Sequence, residues 1–205
     1  MKNLRKKNQN LLKKNNIYHE NQEHDACGVG LVVSTEGRKS RKVVEYGIEA
    51  LKAVWHRGAV DADGKTGDGA GIHIEIPQDF FIEKIENTGH KHDNSEVCVG
   101  MVFLPRNNYA AQEQCRTIIE SVLTKKNFNI YGWRQVPVNP KVLGEKAEIT
   151  RPEIAQVLFK HNDKSKIGKD LEVKLYEARR IIEKEAIKSN LNNFYICSFS
   201  SKSII

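Results

Sequence analysis

Cys27 lies in the stretch of the chain with the clearest chemical potential, His24-Asp25-Ala26-Cys27-Gly28-Val29-Gly30. An apolar run follows it, and we predict a strand over residues 27–33. The neighbouring glycines let backbone or ligand approach the thiol closely, which suits a nucleophile at a strand end. A lone cysteine is more often a small buried apolar residue, so both interpretations stay open on these residues alone.

A second unusual segment runs from His56 to Gly71 and contains five glycines and three aspartates in sixteen residues. This composition predicts a loop with several glycine-specific dihedral angles. We expect its amides and carboxylates to form a polar wall beside Cys27. Arg57 is the residue of this segment that we single out as a candidate for a functional role. The alternative is that Arg57 is a solvated surface charge and that the aspartates bond their own backbone in turns.

Two familiar ligand loops are excluded by spacing. The run from Gly58 to Thr66 resembles a phosphate-binding P-loop, but it has one residue too many between its glycines and follows a predicted helix instead of a strand. The run over 61–64 suggests a calcium loop, yet Lys65 and Ile72 occupy positions that need oxygen ligands. The only spacing among the histidines that could suit a metal is that of His90 and His92 in a predicted polar loop, and these two are interpreted as solvated.

Hydrophobic periodicity predicts the elements that must position these residues. A helix is expected over 40–56, with Val44, Ile48, Leu51 and Trp55 on one face packed against a sheet. The other predicted elements are strands over 72–76, 97–104, 154–159 and 194–200, helices over 78–85, 109–125 and 171–189, and an extended segment over 128–138. Their mixed order favours a layered α+β fold over a doubly wound sheet.

Composition narrows the class of protein. With 205 residues and 39% hydrophobic residues, the chain can bury the core of one domain. No apolar run reaches the roughly 18 residues of a membrane span. The net charge is +7, but six basic residues fall in the first sixteen positions, so the body has no predicted nucleic-acid footprint. The four cysteines are widely spaced, which predicts free thiols and a cytoplasmic protein.

Residues 1–26 form a basic leader rich in Lys and Asn. Such a composition predicts little stable structure. The leader has no apolar region of the kind found in secretory signals. It is interpreted as a propeptide, with organellar targeting left open.

Several motifs, taken together, resemble the start of the large subunit of glutamate synthase. The resemblance covers about residues 24–205, and its long loop motif and tryptophan motif occur together. The motifs are Cys27-Gly28-Val29-Gly30, Trp55-His56-Arg57-Gly58-Ala59, the run over 63–71, Ile76-Pro77 with Phe80-Phe81, the run over 132–138, Leu143-Gly144 and the run over 194–198.

The resemblance implies a class II glutamine amidotransferase domain over 27–205. Its fold is the N-terminal-nucleophile αββα four-layer sandwich, expected here to be incomplete on the C-terminal side. It also implies that the leader is removed, so that the thiol of Cys27 attacks L-glutamine and its own α-amine acts as general base. Arg57, Gly58 and Asp68 are expected to support the site. No metal ligand is implied.

One departure from the family pattern bears on activity. The family holds the oxyanion with an Asn-Gly pair, and this sequence contains no such dipeptide. The arginine and aspartate that grip glutamine are expected beyond residue 205. Losing one oxyanion donor costs ~100- to 1000-fold in rate, so these residues alone are expected to be inactive or very slow.

The resemblance assigns FMN and an iron–sulfur cluster to downstream domains, with no cofactor in this chain. It implies the remainder of the large subunit and the small subunit as partners, and neither nucleic acid nor membrane. Two alternatives are kept. One is a non-catalytic binding module whose basic leader attaches to acidic partners such as RNA. The other is a different class II amidotransferase, against which the long glycine-rich loop argues.

Overall fold

The computed structural model describes residues 28–55 and 58–205, together with Lys7, Asn10, Leu11 and Lys14. The chain divides into two compact units, residues 1–31 and 32–205. In the first unit, the four described leader residues are helical and exposed. This is more local structure than the composition predicts, and it agrees with the high helix propensity of Lys and Leu.

The second unit contains most of the regular structure. In chain order its elements are α1 (Arg41–Ala53), β1 (Ile74–Glu75), α2 (Gln78–Glu86), β2 (Cys98–Leu104), α3 (Tyr109–Lys125), β3 (Phe128–Gln135), a 3-10 turn (Pro140–Val142), α4 (Glu145–Thr150), β4 (Glu153–His161), α5 (Gly168–Lys188), β5 (Tyr195–Ser200) and β6 (Ser203–Ile204).

Four of the strands form one antiparallel sheet in the order β3-β4-β2-β5. Alternate side chains of a strand point to opposite faces, and both faces of the central strand β2 are apolar. Gly100 in β2 pairs with Val157 and Phe199 on its two neighbours. A side chain at this glycine would meet both of them, so the sheet is tightly packed there.

Helices α3 and α5 cover one face of this sheet. The buried positions of α5 are Leu171, Leu175, Ala178, Ile182 and Ala186, whose spacing of three or four residues places them on one side of the helix. They pack with Cys115, Ile119 and Leu123 of α3 in the larger hydrophobic core. This helical layer confirms the predicted helices over 109–125 and 171–189.

The opposite face carries α2 and a two-stranded antiparallel ribbon formed by β1 and β6. Its smaller core contains Ile76, Phe81, Ile85 and Ile204. The side chain of Gln78, at the start of α2, connects this helix to the four-stranded sheet. Its amide nitrogen donates to the Val97 carbonyl at 3.0 Å, and its amide oxygen accepts from the Val97 amide at 2.9 Å. Helix α2 is therefore fixed to the residue that precedes β2.

Two sequence predictions in the front of the chain are wrong. The strand predicted over 27–33 is not observed over its described part, 28–33, where Val29 is 90% and Leu31 is 89% exposed. Helix α1 forms where it is predicted, but none of its residues is buried and Trp55 is 78% exposed. The helix itself is therefore confirmed, and what is wrong in the second prediction is its packing against a sheet, which is not observed among the described residues.

The predicted layered α+β class is confirmed, and it is the class to which the N-terminal-nucleophile sandwich belongs. The structure adds that the sheets are antiparallel. In the described residues, one helical layer lies on the four-stranded sheet and the ribbon with α2 lies on the other face. The second helical layer has no packed counterpart there, since α1 buries no residue. Among the described helices, none has the length and apolar character needed to cross a bilayer.

Candidate functional site

The structure describes two of the four predicted site residues. Cys27 and Arg57 lie outside the described residues. Gly58 and Asp68 are described, and both belong to the glycine-rich loop, defined here as residues 58–71. The amide of Gly58 donates to the carbonyl of Trp55 at 3.0 Å, which ties the start of this loop to the end of the preceding helix.

The base of the loop consists of Ala59, Val60, Gly67 and Asp68. Val60 and Gly67 form an isolated antiparallel bridge. Asp68 closes the base twice, because its amide donates to the Ala59 carbonyl at 3.3 Å and its carboxylate accepts from the Ala59 amide at 2.9 Å. Asp68 therefore determines the path of the backbone directly after Gly58, and its predicted supporting role remains a prediction.

The tip of the loop, residues 61–66, is organised around Asp63. Its carboxylate accepts from the amides of Lys65 and Thr66 at 2.9 and 2.7 Å and from the Thr66 hydroxyl at 2.5 Å. The bond from the Thr66 hydroxyl, followed by those from the two amides, holds the pKa of the Asp63 carboxyl well below its usual range. Gly64 has a φ of +69°, a conformation that favours glycine.

The tip rests on the start of α4. The ammonium group of Lys146 pairs with both carboxylate oxygens of Asp61, at 2.8 and 2.7 Å. Gly144, which precedes α4, comes so close that an added Cβ would lie 2.5 Å from the Thr66 amide nitrogen and would also meet the side chains of Asp63 and Thr66. The contact therefore requires glycine at position 144.

Sequence reasoning did not identify this contact. Leu143-Gly144 appeared only as part of a motif, and Lys146 was not singled out. A glycine before a short helix carries no local signal that separates a helix cap from a point of close approach. The turn-forming alternative for Asp61, Asp63 and Asp68 agrees with their bonds, because each accepts a backbone hydrogen bond within the loop.

The described cysteines are poor candidates for a nucleophile. Cys98 and Cys115 are fully buried, and burial raises the pKa of the Cys115 thiol to about 11 and that of Cys98 above its usual range. Partial burial also raises the pKa of Cys197. A thiol attacks as its thiolate, so these shifts lower reactivity. Cys27, the fourth cysteine, lies outside the described residues.

No metal centre is formed by the described residues, which contain no group of three or more His, Cys, Asp or Glu side chains able to hold an ion. His90 and His92 are both engaged locally. His90 Nδ1 lies 3.0 Å from the Thr88 hydroxyl, and His92 Nε2 lies 2.8 Å from the Ser95 carbonyl. Their spacing in the sequence is thus accounted for by the turn over 88–95.

A cavity with a volume of about 540 Å³ in the described part of the chain lies beside the turn over 88–95. Its polar lining is already paired. The side-chain amide of Gln78 donates to the Val97 carbonyl through its nitrogen and accepts from the Val97 amide through its oxygen, and Lys202 forms an ion pair with Glu96. These pairs leave little to recognise a polar substrate, so the cavity is a weaker candidate than the glycine-rich loop.

Comparison with known proteins identifies the domain. The family profile of class-II glutamine amidotransferases matches residues 27–205. The chain is 53% identical over 190 residues to the glutamate synthase [NADPH] large chain of Azospirillum brasilense, covering 93% of this chain and 12% of that protein. It is 38% identical over 205 residues to the ferredoxin-dependent glutamate synthase of Pyropia yezoensis, covering 98% and 13%.

A third relative is the ferredoxin-dependent glutamate synthase 2 of Synechocystis sp., 38% identical over 186 residues and covering 90% and 12% of the two chains. The resemblance to glutamate synthase that the motifs indicate is thus confirmed. The chain spans about 12% of the length of these curated relatives. With the profile matched over most of its length, this chain belongs to the class-II glutamine amidotransferases.

Proposed function

We propose that this chain supplies the glutaminase portion of a glutamate synthase, which releases ammonia from the side-chain carboxamide of L-glutamine for glutamate formation. The observation that carries the proposal is the family match, which starts at Cys27 and extends to residue 205. The 53% identity to a glutamate synthase large chain favours this enzyme over other amidotransferases of the class.

Cys27 is the proposed nucleophile, after removal of residues 1–26. A thiol has a pKa of ~8.5 and a free α-amine a pKa of ~7.7 to 8.0, so one N-terminal cysteine provides both nucleophile and general base. The sulfur forms a bond to the carboxamide carbon while the amine takes the thiol proton. The same proton passes to the leaving nitrogen, ammonia departs, and water hydrolyses the glutamyl thioester to glutamate and free thiol.

Arg57, Gly58 and Asp68 are proposed to shape the pocket around Cys27. A guanidinium group stays charged at all relevant pH values, so Arg57 is assigned an orienting role and no proton transfer. Asp68 would act through the backbone, because it holds the amide of Ala59 next to Gly58. This assignment accounts for an aspartate whose carboxylate is directed at its own loop.

Competence is proposed to require more than these 205 residues. They contain no Asn-Gly dipeptide to hold the oxyanion, and the expected loss is ~100- to 1000-fold in rate. The other parts of a glutamate synthase large subunit and its small subunit are the proposed partners, in the cytoplasm. FMN and an iron–sulfur cluster are proposed to belong to other domains of the complete enzyme, as the resemblance implies.

The test is covalent labelling of the full product of the gene with the diazo-ketone glutamine analogue 6-diazo-5-oxo-L-norleucine. Intact mass should first show a chain that begins at Cys27. One equivalent of label is then expected on Cys27, with Cys98 and Cys115 protected by burial. Cys27→Ala should abolish both labelling and ammonia release.

Cys197→Ala is the matched control, because Cys197 is the most accessible of the described cysteines, and it should leave labelling unchanged. Equal labelling of all four cysteines would refute the nucleophile. A mature protein that retains Met1 or Lys2 would instead favour the non-catalytic basic binding module.

A further inference from the structure

The position of the glycine-rich loop is determined by contacts that originate far away in the sequence. Asp61 at its tip is separated by 85 residues from Lys146, whose ammonium group it binds. Thr66 and Asp63 lie against Gly144, where no side chain fits. The loop tip is therefore seated on the start of α4 by one ion pair and one close backbone approach.

Helix α4 is in turn fixed to the two central strands of the sheet. Glu148 forms ion pairs with Arg106, which follows β2, and with Arg151, which precedes β4. The second guanidinium binds the carboxylate through two nitrogens, at 2.8 and 3.1 Å. The two arginine side chains are 23% and 18% exposed, whereas the Glu148 side chain that they share is 40% exposed, so water screens these pairs in part.

These contacts form a continuous connection from the sheet to the loop base. The tip and the base of the loop are connected by the hydrogen bond from the Asp61 amide to the Thr66 carbonyl, 2.7 Å, and by the Val60–Gly67 bridge. The base then carries Gly58 and Asp68. A shift of the tip on α4 must move the backbone beside Gly58 or break these bonds.

We infer that Gly144 and Lys146 are positioning residues for the glutaminase site, acting through the tip and base of the glycine-rich loop on Gly58 and Asp68. The inference rests on the proposed function, which places that loop beside Cys27. Neither residue is assigned contact with glutamine. Their effect is geometric, and a misplacement of about 1 Å in a catalytic site is enough to cost ~100-fold in rate.

The principal test is Gly144→Ala in the full product of the gene. The new methyl group would overlap the Thr66 amide, so the tip must lift from α4. We expect kcat/KM for glutamine hydrolysis to fall roughly 10- to 100-fold and labelling of Cys27 by the diazo-ketone to slow in parallel. Hydrogen exchange at the Ala59 amide should accelerate, which reports on the loop independently of catalysis.

A second variant keeps the inference testable should Gly144→Ala fail to fold. Lys146→Glu places two carboxylates together at an exposed site, and a loss of about three-fold in kcat/KM is expected. The exchanged pair Asp61→Lys with Lys146→Glu should restore most of that loss, because attraction returns. A general structural defect would not be rescued in this way.

Lys141→Glu is the matched charge control, since Lys141 lies in the turn before α4 and forms no ion pair with the described residues. Gly47→Ala is the matched glycine control, because an added methyl there meets nothing within 4 Å. Both should retain wild-type kcat/KM and wild-type exchange at Ala59.

The two proposals fail in different ways. Wild-type protein that releases no ammonia and leaves Cys27 unlabelled refutes the proposed function. Active wild-type protein whose Gly144→Ala and Lys146→Glu variants match it in kcat/KM and in exchange at Ala59 refutes the positioning role alone.

Discussion

Helices α5 and α1 both carry a regular apolar stripe, and of these two stripes only that of α5 is buried. In α5 the stripe of Leu171, Leu175, Ala178 and Ile182 is sealed between α3 and the sheet. In α1 the stripe of Val44, Ile48 and Leu51 is equally regular, but the helix has no buried residue. Periodicity therefore determines which face of a helix is apolar, and the rest of the chain determines whether that face is covered.

The difference has an energetic meaning. A helix in a protein is stabilised mostly by the packing of its apolar face and less by its intrinsic propensity. Helix α5 has that packing along its length. Helix α1 is held by its N-cap, where the Ser40 hydroxyl accepts from the Lys42 amide at 3.2 Å, and by surface pairs such as Arg41 with Glu45. It should be the less stable of the two.

The largest expected effect compares two leucines. Leu175→Ala in α5 empties a fully buried site and should lower the free energy of unfolding by about 2–5 kcal/mol. Leu51→Ala in α1 should lower it by about 1 kcal/mol or less, because the leucine is only partly covered. Urea unfolding followed by circular dichroism measures both. Equal losses would show that α1 is packed in solution and would remove the contrast.

An intermediate effect is expected from two glycines. Gly100→Ala in β2 would bring a methyl group to about 2.7 Å from Phe199 and Val157, so we expect a loss of about 1–3 kcal/mol from overpacking. Gly47→Ala in α1 meets no neighbour and should stabilise the helix by roughly 0.5–1 kcal/mol. Opposite signs in thermal denaturation are the expected result. A destabilising Gly47→Ala would indicate a hidden contact at α1.

The smallest effect concerns Glu148, which connects α4 to the core. The Arg151 side chain, followed by that of Arg106, lowers the pKa of this carboxyl to about 2 from an ordinary value of 4.5. A carboxyl with a depressed folded-state pKa contributes stability above pH 4.5 and loses that contribution as the pH falls toward 2. Unfolding free energies measured between pH 5 and pH 2 should therefore show a slope that Glu148→Gln reduces.

Glu145→Gln is the matched control for this titration, since Glu145 opens the same helix and forms no ion pair with the described residues. It should retain the slope. An unchanged slope in Glu148→Gln would mean that the two arginines do not hold this carboxylate in solution, and the connection from the sheet to the loop would lose its central member.

Local signals explain which elements were predictable. The helix over 109–125 is observed with the predicted bounds, because Asn108 caps it through the Ala111 amide and its apolar positions recur at helical spacing. The strand over 97–104 is likewise observed, as Cys98–Leu104. The strand predicted over 27–33 fails in its described part, because a strand needs a neighbour to receive its hydrogen bonds.

The candidate site likewise has one part that the sequence predicts and one part that it does not. The glycine-rich loop and its aspartates were recognisable from composition, since glycine and aspartate favour turns for known conformational reasons. The partners of the loop tip were not. Nothing near Lys146 or Gly144 in the sequence points to Asp61 or Thr66, because a pairing across 85 residues depends on how the intervening strands are arranged.

The sequence by itself determined the types of the main elements, the α+β class, the family and the turn-forming composition of the glycine-rich loop. These properties follow from residue spacing and turn-forming residues, which are local features of the sequence, and from the order of motifs, which can be compared with that of a known family. The tertiary structure alone decided that α5 is buried while α1 is not, and that the loop tip rests on α4. Burial and long-range pairing depend on which surfaces come into contact in the folded chain. The sequence around an apolar face or a charged residue does not specify which distant residues will contact it.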